Sequence, residues 1–177
     1  MAETARPVRD ADVAVEQLYA AYWRQLVRLS VLLVRDQGTA EEVVQDAFIE
    51  LHGRWGRLRD HERALAYLRQ TVVNRSRSVL RHRAVVHKYA ERDRPVVSSP
   101  GVDTDVARQA QRDVVLDALR RLPERQREVV ALRYYLDLSE AEIADTLGIS
   151  RGAVKSHASR GLAALKTTLG TLMEDAS

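Results

Sequence analysis

The sequence predicts an all-α protein: two small helical domains joined by a flexible linker, the second domain containing a helix-turn-helix. Aromatic residues make up only 5% of the chain and glycine and proline are sparse, which favours helices over a β-sandwich. Apolar residues recur at helical spacing through most of the chain. Residues 94–104, RPVVSSPGVDT, concentrate proline, serine and glycine, and so predict a polar linker on which the two domains reorient freely.

The first domain, residues 13–93, is predicted to hold three helices after a disordered lead-in at residues 1–12. Apolar residues repeat every three or four positions through this domain, as they do on the buried face of a helix. Thr39 is the expected N-cap of the second helix, because Glu42 three residues later completes a capping box. The three predicted helices cover residues 13–35, 40–52 and 62–83. The third of them ends at residue 83 or later.

The second domain, residues 105–177, has the pattern of a helix-turn-helix in LSEAEIADTLGISRGAVKSHASRGLAAL, residues 138–165. Ser139 and Glu142 form a capping box that starts its first helix. Gly148 ends that helix, and a second helix follows almost at once. Two helices joined by about four residues with a glycine are typical of the unit whose second helix enters the major groove of DNA.

The second helix of this unit has one apolar face and one basic face. Ser150 is its expected N-cap, and its apolar stripe consists of Val154, Ala158, Leu162 and Leu165. The residues on the other face are Arg151, Lys155, Ser156, Ser159 and Arg160. Arginine and lysine reach guanine edges or phosphates, and serine can bond to either. A solvated face of an ordinary bundle also carries charge, but the caps, the glycine turn and the one-sided basic stripe together favour DNA binding.

Charge divides sharply along the first domain. Residues 36–51 hold five acids and no arginine or lysine, whereas residues 54–94 hold twelve bases and four acids. The acidic helix predicts a protein partner, and the basic helix predicts a partner that carries phosphate. The net charge of +3 hides this division.

Several classes of protein are excluded by the sequence. No apolar run approaches the roughly 18 residues of a membrane span, and the polar N-terminus is unlike a signal or transit peptide. The chain has no cysteine, which excludes disulfides and cysteine-ligated metal sites and fits a cytoplasmic protein. The histidines form no H-E-x-x-H arrangement, and the chain has no G-x-S-x-G, Walker A loop or dinucleotide fingerprint. We therefore expect neither an enzyme nor a metal or cofactor site.

The order of acidic helix, basic helix, polar linker and helix-turn-helix is similar to the extracytoplasmic-function group of bacterial RNA polymerase sigma factors, in the sigma-70 family. AEEVVQDAFIELH, residues 40–52, resembles the polymerase-binding helix of that family. ALAYLRQTVVNRSRSVLRHR, residues 64–83, resembles its helix that reads the promoter −10 element. LPERQREVVALRYYLDLSEAEIADTLGISRGAVKSHASRGLAALK, residues 122–166, resembles its −35 reading domain. The resemblance covers about residues 13–170.

The resemblance implies a dissociable sigma factor that directs core RNA polymerase to specific promoters and assists strand opening at the −10 element. A pocket that binds an unstacked base can shift the duplex toward the open state by its differential affinity, so that strand opening needs no catalytic group. The implied partners are core RNA polymerase, through its β′ clamp and β flap, promoter DNA and an anti-sigma protein. The implied location is the cytoplasm, on the nucleoid when bound to polymerase.

The resemblance also assigns residues to each partner. The residues implied to bind the polymerase clamp are Val44, Gln45, Asp46, Phe48 and Glu50. Those implied to bind the −10 element are Asn74 for a base, Arg75, Arg77, Arg81 and Arg83 for phosphates, and Tyr67, with Trp55, for stacking. Those implied to read the −35 element are Arg151, Lys155, Ser156, Ser159 and Arg160. One departure is His157, which gives K-S-H where the family usually has K-S-R and removes one fixed charge from the recognition helix.

Two other functions fit parts of the sequence. A stand-alone helix-turn-helix regulator, such as the output domain of a response regulator, shares the GISRGAVKSHASR pattern. It leaves the acidic and basic helices of the first domain unexplained. A pure interaction adaptor would require the acidic helix to hold a partner while the basic faces fail to bind DNA.

Overall fold

The computed structural model describes residues 6–89 and 106–175. Seven α-helices account for nearly all of these residues, and no strand occurs in either range. The helices are α1 (Arg6–Val34), α2 (Gln37–Arg54), α3 (Ala64–Tyr89), α4 (Val106–Arg120), α5 (Glu124–Val130), α6 (Glu140–Leu147) and α7 (Arg151–Asp175). The predicted fold class, all-α with two helical domains, is therefore confirmed. The predicted linker at residues 94–104 lies outside the described residues.

Helix α1 begins earlier than predicted. The prediction of a disordered lead-in over residues 1–12 is wrong from Arg6 onward, because that segment is already helical. Ala11 is buried, and the Asp12 carboxylate lies 2.6 Å from Nε2 of His52 in α2. Packing against α2 therefore extends α1 toward the N-terminus of the chain.

Helix α2 also begins before its predicted start. Its N-cap is Asp36, whose carboxylate accepts a hydrogen bond of 2.7 Å from the backbone N–H of Thr39. The predicted capping box of Thr39 and Glu42 is therefore wrong, because an acid three residues upstream takes the capping position. The hydroxyl of Thr39 donates to the same carboxylate, and the two hydrogen bonds from Thr39 lower the pKa of Asp36.

The helix-turn-helix forms as predicted from its local signals. The Ser139 hydroxyl accepts from the backbone N–H of Glu142 at 3.2 Å, and the Glu142 carboxylate accepts from the backbone N–H of Ser139 at 2.8 Å. Gly148 ends α6 with φ of 65°, a left-handed conformation that glycine adopts without a side-chain clash. The Ser150 hydroxyl then caps α7 by accepting from the N–H of Ala153 at 3.1 Å.

A π-helical turn, Ala131–Tyr135, follows α5. The N–H of Leu136 donates to the carbonyl of Ala131 at 3.4 Å, and Asp137 then takes a positive φ of 53°. Turns of this kind are rare and often lie at functional sites. Here the turn faces the first half of the chain, because the hydroxyl of Tyr135 donates to the Gln25 carbonyl of α1 at 3.3 Å.

The two halves of the chain pack against each other. One buried cluster includes Leu26 and Leu29 of α1 together with Leu132 of the π-helical turn. Polar contacts cross the same boundary, including an ion pair of 2.5 Å between Arg35 and Asp117. The polar linker predicts free reorientation of the two halves, and in the arrangement seen here they are in contact.

Candidate nucleic-acid interface

Helix α7 separates its apolar and basic faces as predicted. Val154 is fully buried and Ala158, Leu162 and Leu165 are half-buried, whereas Arg151, Lys155, Ser159 and Arg160 are exposed and Ser156 is half-buried. Among the described residues, the one carboxylate near these basic side chains is that of Glu140, which lies 3.8 Å from Nζ of Lys155. No acid in the same ranges pairs with Arg160, and its guanidinium donates to the Ser156 hydroxyl. His157 does not belong to the exposed face, because its ring is half-buried and its Nδ1 has no hydrogen-bond partner in the described ranges.

The basic helix α3 is different, because its arginines are largely held by the chain's own acids. The guanidinium of Arg75 donates to the carboxylates of Asp46 at 3.2 Å and Glu50 at 3.0 Å. The hydroxyl of Tyr67 donates to the same Glu50 at 2.7 Å. Residues assigned to −10 DNA, Arg75 and Tyr67, are thus bonded to residues assigned to polymerase, Asp46 and Glu50. The two surfaces are one connected network rather than two separate ones.

The pKa values in this network follow from its hydrogen bonds. The bond from Tyr67, followed by the bond and charge of Arg75, lowers the pKa of the Glu50 carboxyl despite its partial burial. Burial, together with the hydrogen bond to Glu50, raises the pKa of the Tyr67 phenol. Glu50 is therefore a charged acceptor that fixes both side chains, and neither is a free ligand for a base or a phosphate.

Arg83 is a structural residue in this arrangement. Its guanidinium donates to the Val34 carbonyl at the end of α1, at 3.2 Å, and to the Thr39 hydroxyl at the start of α2, at 2.6 Å. The Asp36 carboxylate lies 3.7 Å away. One arginine of α3 thereby joins the two ends of the α1–α2 connection, which corrects its assignment as an open phosphate contact.

Arg77 lies at the contact between the two halves, and only 13% of its side chain is exposed. Its Nε and Nη2 donate to the two carboxylate oxygens of Glu128 in α5, at 2.9 and 3.0 Å. These bonds raise the pKa of Arg77, so its guanidinium stays charged. The assignment of Arg77 to a free DNA-binding surface is therefore wrong for this arrangement, because a buried acid from the other half already occupies it.

Asn74 and Arg81 are the assigned −10 residues that remain open on α3. Asn74 is exposed, and its side-chain oxygen accepts a single bond of 3.3 Å from Arg77. Arg81 has 71% of its side chain exposed, and its nearest acid, Glu124, is 4.0 Å away. Asn74 and Arg81 are seven residues apart, which is about two helical turns, so they lie on the same helix face, where one strand of DNA can reach both.

Trp55 is not free to stack on a base. It is buried, and its ring lies against that of His61 with centroids 4.5 Å apart and an angle of 5° between the planes. The Nε2 atom of His61 also lies 3.1 Å from the Trp55 carbonyl. The aromatic ring therefore closes the turn between α2 and α3.

The assigned polymerase-binding face of α2 is only partly on the surface. Gln45 and Asp46 are exposed and Glu50 is half-buried, but Val44 and Phe48 are buried in the core. The assignment of Val44 and Phe48 to direct polymerase contact requires exposed side chains, which these two residues do not have in this structure. The Phe48 ring packs edge-on against that of Tyr19, with centroids 5.2 Å apart.

Ile49 is a surface residue that the sequence reading missed. It is 63% exposed and borders a shallow apolar groove between α1 and α2. The groove is lined by Val15, Tyr19, Gln45, Phe48, Ile49 and His52. The signal was present in the helical spacing, because Ile49 is four residues after Gln45 and three after Asp46 and so shares their exposed face.

Residues 6–89 and 106–175 contain neither a metal-binding cluster nor a membrane-spanning helix. None of the His, Asp and Glu side chains there form a group of three or more that could hold a metal ion. Within the same ranges, no helix combines the length and the apolar character needed to cross a membrane.

The chain matches two family models and several characterised relatives. The model of sigma-70 region 2 matches residues 18–85, and that of sigma-70 region 4 matches residues 112–165. The RNA polymerase sigma-E factor of Streptomyces avermitilis is 34% identical over 144 residues, which cover 81% of this chain and 78% of that protein. The RNA polymerase sigma factor CarQ of Myxococcus xanthus is 31% identical and covers 92% of each chain. The ECF RNA polymerase sigma factor SigM of Mycobacterium tuberculosis is 36% identical over 165 residues, 90% of this chain and 79% of that protein.

Two solved structures share the fold. The sigma factor RpoE of Bartonella quintana, in complex with the anti-sigma factor NepR, superposes with a TM-score of 0.71 at 22% identity, over 88% of this chain and 96% of that one. CnrH, in complex with the cytosolic domain of CnrY, superposes with a TM-score of 0.65 at 22% identity, over 97% of this chain and 99% of that one. At this identity the likeness concerns the arrangement of the helices.

Proposed function

Since the chain belongs to the extracytoplasmic-function group of bacterial RNA polymerase sigma factors, we propose a separate role for each of its exposed surfaces on α7, α3 and α2. Sigma factors of this group are dissociable subunits that direct the polymerase to promoters. The three proposed roles are −35 recognition by α7, −10 recognition by α3 and polymerase binding by α2. The observation that carries the proposal is the presence in one chain of an exposed basic face on α7 and an exposed acidic and apolar face on α2. A stand-alone helix-turn-helix regulator needs only the first of these. The match to sigma-70 region 2 over residues 18–85 favours the sigma factor over that regulator.

Helix α7 is the proposed reader of the −35 element. Its basic face projects into the major groove, with the residues Arg151, Lys155, Ser156, Ser159 and Arg160 toward the DNA. The buried stripe around Val154 and the caps at Ser150 and Ser139 hold the helix in place without using any of the DNA-facing groups. A rigid helix presented this way loses little conformational entropy when it binds.

Asn74 and Arg81 are the proposed −10 contacts of the free surface of α3. The Asn74 amide both donates and accepts, which suits the edge of an unstacked base, and Arg81 suits a phosphate. Arg75, Tyr67 and Arg83 support this face by tying α3 to α2 and to the end of α1. Strand opening then follows from the preference of this face for the unpaired strand, without a catalytic group.

Helix α2 is the proposed polymerase contact, which we assign to the β′ clamp. Gln45, Asp46 and Glu50 supply polar groups, and Ile49 with the neighbouring groove supplies apolar area. An apolar centre with a charged rim is the common composition of protein interfaces. The second half of the chain, residues 105–177, would meet the β flap, while residues 13–93 form the clamp-binding and −10 domain.

The cellular setting follows from the same proposal. We place the protein in the cytoplasm, on the nucleoid when it is bound to polymerase, and assign it no catalytic activity. RpoE of Bartonella quintana and CnrH are both described in complex with partner proteins, one of them an anti-sigma factor. We therefore infer an anti-sigma partner for this chain as well.

The test of the proposal is run-off transcription with purified chain and bacterial core polymerase on genomic DNA fragments. We expect start sites that require both components. Asp46→Arg should reduce these transcripts at least about tenfold, because a reversed charge at an interface costs more than about 1.4 kcal/mol. Glu41→Arg is the matched control, since Glu41 is an exposed acid on the same helix that is assigned no contact.

The −10 assignment needs a second pair of variants. Asn74→Ala should reduce transcription and permanganate reactivity of the melted strand by a similar factor, while Gln111→Ala, an exposed amide on α4, should change neither. Specific duplex binding without any polymerase-dependent transcript would instead support the stand-alone regulator. A stable polymerase complex without DNA binding would support the interaction adaptor.

A further inference from the structure

Helix α7 crosses α5 at a glycine. Gly161 is buried, and a Cβ atom added to it would lie 2.8 Å from Cγ2 of Val130 and 3.3 Å from both Cβ and the carbonyl oxygen of Gln126. Ordinary contacts of a Cβ atom begin at 3.4 Å, so the two helices lie closer here than a larger residue would permit. Glycine is less favourable than alanine inside a helix, and the close approach to α5 is what this position gains from it.

The other two glycines of α7 meet no such limit. An added Cβ at Gly152 would have Oγ of Ser150 at 3.9 Å, and one at Gly170 would have no atom within 4 Å. Both positions are exposed. The need for a missing side chain is therefore specific to the crossing with α5, and Gly170 offers the same chemical change at a position without a neighbour.

Helix α5 is held in place at this crossing. The guanidinium of Arg127 donates to three carbonyl oxygens at and just after the end of α4, at distances of 3.0 to 3.2 Å. Val130 is buried in one cluster with Leu119 and Leu122. Its branched side chain has one strongly preferred rotamer in a helix and does not turn away easily. A methyl group added at Gly161 must therefore be accommodated by a shift of α7.

The same helix carries the residues assigned to DNA. Arg160 directly precedes Gly161, and Lys155 lies six residues before it, which is about 9 Å along the helix axis. Because α7 is one continuous helix, a displacement at the crossing also moves its basic face. A binding surface has to be held within about 0.5 Å of its productive geometry. The shortfall from 3.4 to 2.8 Å at Val130 is of that size.

We propose that Gly161 is a positioning residue for −35 recognition: by allowing α7 to lie directly against Val130 of α5, it sets how the basic face of α7 enters the major groove. This inference rests on the proposed role of α7. The crossing lies wholly within residues 105–177, so it does not depend on contact between the two halves of the chain. A larger residue at this position leaves every DNA-facing side chain in the protein but presents them at a changed depth and angle.

The ratio of two promoter affinities tests the proposal. Core polymerase reconstituted with each variant is titrated onto a promoter fragment found by run-off transcription, and onto the same fragment with the bases of its −35 element scrambled. We expect Gly161→Ala to lower the ratio of the intact to the scrambled affinity at least about fivefold, because base contacts are lost and phosphate contacts largely remain. A chain that is merely unstable has a smaller active fraction in both titrations, which leaves the ratio unchanged.

Two further variants identify the contact. Val130→Ala removes the atom nearest to the added Cβ, so it should lower the melting temperature on its own but leave the ratio unchanged. Combined with Gly161→Ala, it should restore the ratio to within about twofold of the wild-type value. Gly170→Ala is the matched control and should not change the ratio.

The inference is overturned if folded Gly161→Ala keeps the wild-type ratio, if its loss persists in the double variant with Val130→Ala, or if Gly170→Ala loses as much. If far-UV circular dichroism shows that Gly161→Ala alone is unfolded, the double variant decides. It then has to fold and keep the wild-type ratio, and failure in either respect rejects the inference.

The unmodified chain separates this inference from the proposed function. If it gives no polymerase-dependent start site, or binds the intact and scrambled fragments equally, the proposed role of α7 fails. A preference for the intact fragment that Gly161→Ala retains rejects the positioning role alone.

Discussion

Helices α3 and α7 are both rich in basic residues, and both are assigned to DNA, but the folded chain uses their charges differently. On α3, Arg75, Arg77 and Arg83 each donate to groups of neighbouring helices. On α7, all the arginines and lysines of the assigned face are exposed, and Lys155 has one acid 3.8 Å away. The number of basic residues in the sequence is therefore larger than the number available to DNA on α3, whereas on the assigned face of α7 the two numbers agree.

The difference follows from what the neighbours of each helix present to its basic residues. Helix α3 packs against α1, α2 and α6, and its polar Ser76 is fully buried with a bond of 3.0 Å to Ser30 of α1. Acids of α2, of the α1–α2 connection and of α5 lie within reach of the arginines of α3. Helix α7 also packs against three helices, α4, α5 and α6, but the basic residues of its assigned face are exposed, and among the described residues only Lys155 of that face forms an ion pair. Such a surface is preformed, whereas that of α3 depends on the state of its ion pairs.

The largest effect that tests this comparison is on stability. Arg77→Ala should lower the free energy of unfolding by about 3 kcal/mol, because it leaves the buried Glu128 with Arg125 as its one charged donor. Arg81→Ala, on the same helix but 71% exposed, should lower it by less than about 0.5 kcal/mol. Urea unfolding of both variants measures the two values. Equal losses would mean that Arg77 is no more structural than its exposed neighbour.

The next effect is on DNA binding by α7. Lys155→Glu should weaken binding to a −35 duplex by roughly 10- to 100-fold, the loss expected when a base or phosphate contact is replaced by repulsion. Its melting temperature should change little, because the side chain is exposed and its one ion pair, with Glu140 at 3.8 Å, is a surface pair. Fluorescence anisotropy at one fixed salt concentration measures the affinity.

Lys166→Glu is the control for that variant, since Lys166 is exposed on the same helix but lies beyond the assigned face. It makes the same change of net charge. If Lys166→Glu weakened duplex binding as strongly as Lys155→Glu, the loss would be a general electrostatic effect and α7 would have no specific DNA-facing residues.

The features that could be predicted from the sequence are those determined by neighbouring residues. The capping box of Ser139 and Glu142 and the end of α6 at Gly148 each depend on residues within about one turn, and both features are as predicted. The exposed and buried faces of α7 follow from helical spacing alone. The prediction of Thr39 as the N-cap of α2 was wrong, because Asp36 and Thr39 are both residue types that cap helices well. Only the path of the chain out of α1 selects between them.

The features that could not be predicted depend on contacts distant in sequence. The partner of Arg77 is Glu128, 51 positions away, and the partner of Tyr67 is Glu50, 17 positions away. Val44 was assigned to a surface because its motif binds polymerase in the family, but which residues of an amphipathic helix face inward depends on where α1 lies. No local pattern carries that information.

A smaller effect concerns the network that holds Arg75. Tyr67→Phe should lower the free energy of unfolding by about 1 kcal/mol, the typical contribution of a hydrogen bond to a partly buried charged acceptor. It should also move the pKa of Glu50 up toward its ordinary value, because the bond from Tyr67 is the main cause of the lowered pKa. Titration of Glu50 by NMR measures that shift. Tyr134→Phe, at an exposed position, is the control and should leave both quantities unchanged.

The smallest effect compares two carboxylates, Glu142 of α6 and Glu50 of α2, by their response to acid. Hydrogen bonds from the backbone N–H and hydroxyl of Ser139 lower the pKa of Glu142 below its ordinary value of 4.5. The stability that this carboxylate contributes is therefore fully present above pH 4.5 and is lost as the pH falls through the lower folded-state pKa. Glu142→Gln keeps an acceptor for the cap but cannot titrate. The free energy of unfolding of this variant should therefore differ from that of the wild type by less than about 0.5 kcal/mol at pH 7, and should depend less on pH below 4.5. Glu50→Gln should instead lower the free energy of unfolding already at pH 7, because Arg75 loses one of its two charged partners. Identical urea midpoints for wild type and Glu142→Gln across the acid range would show that the α6 cap does not depend on a charged carboxylate.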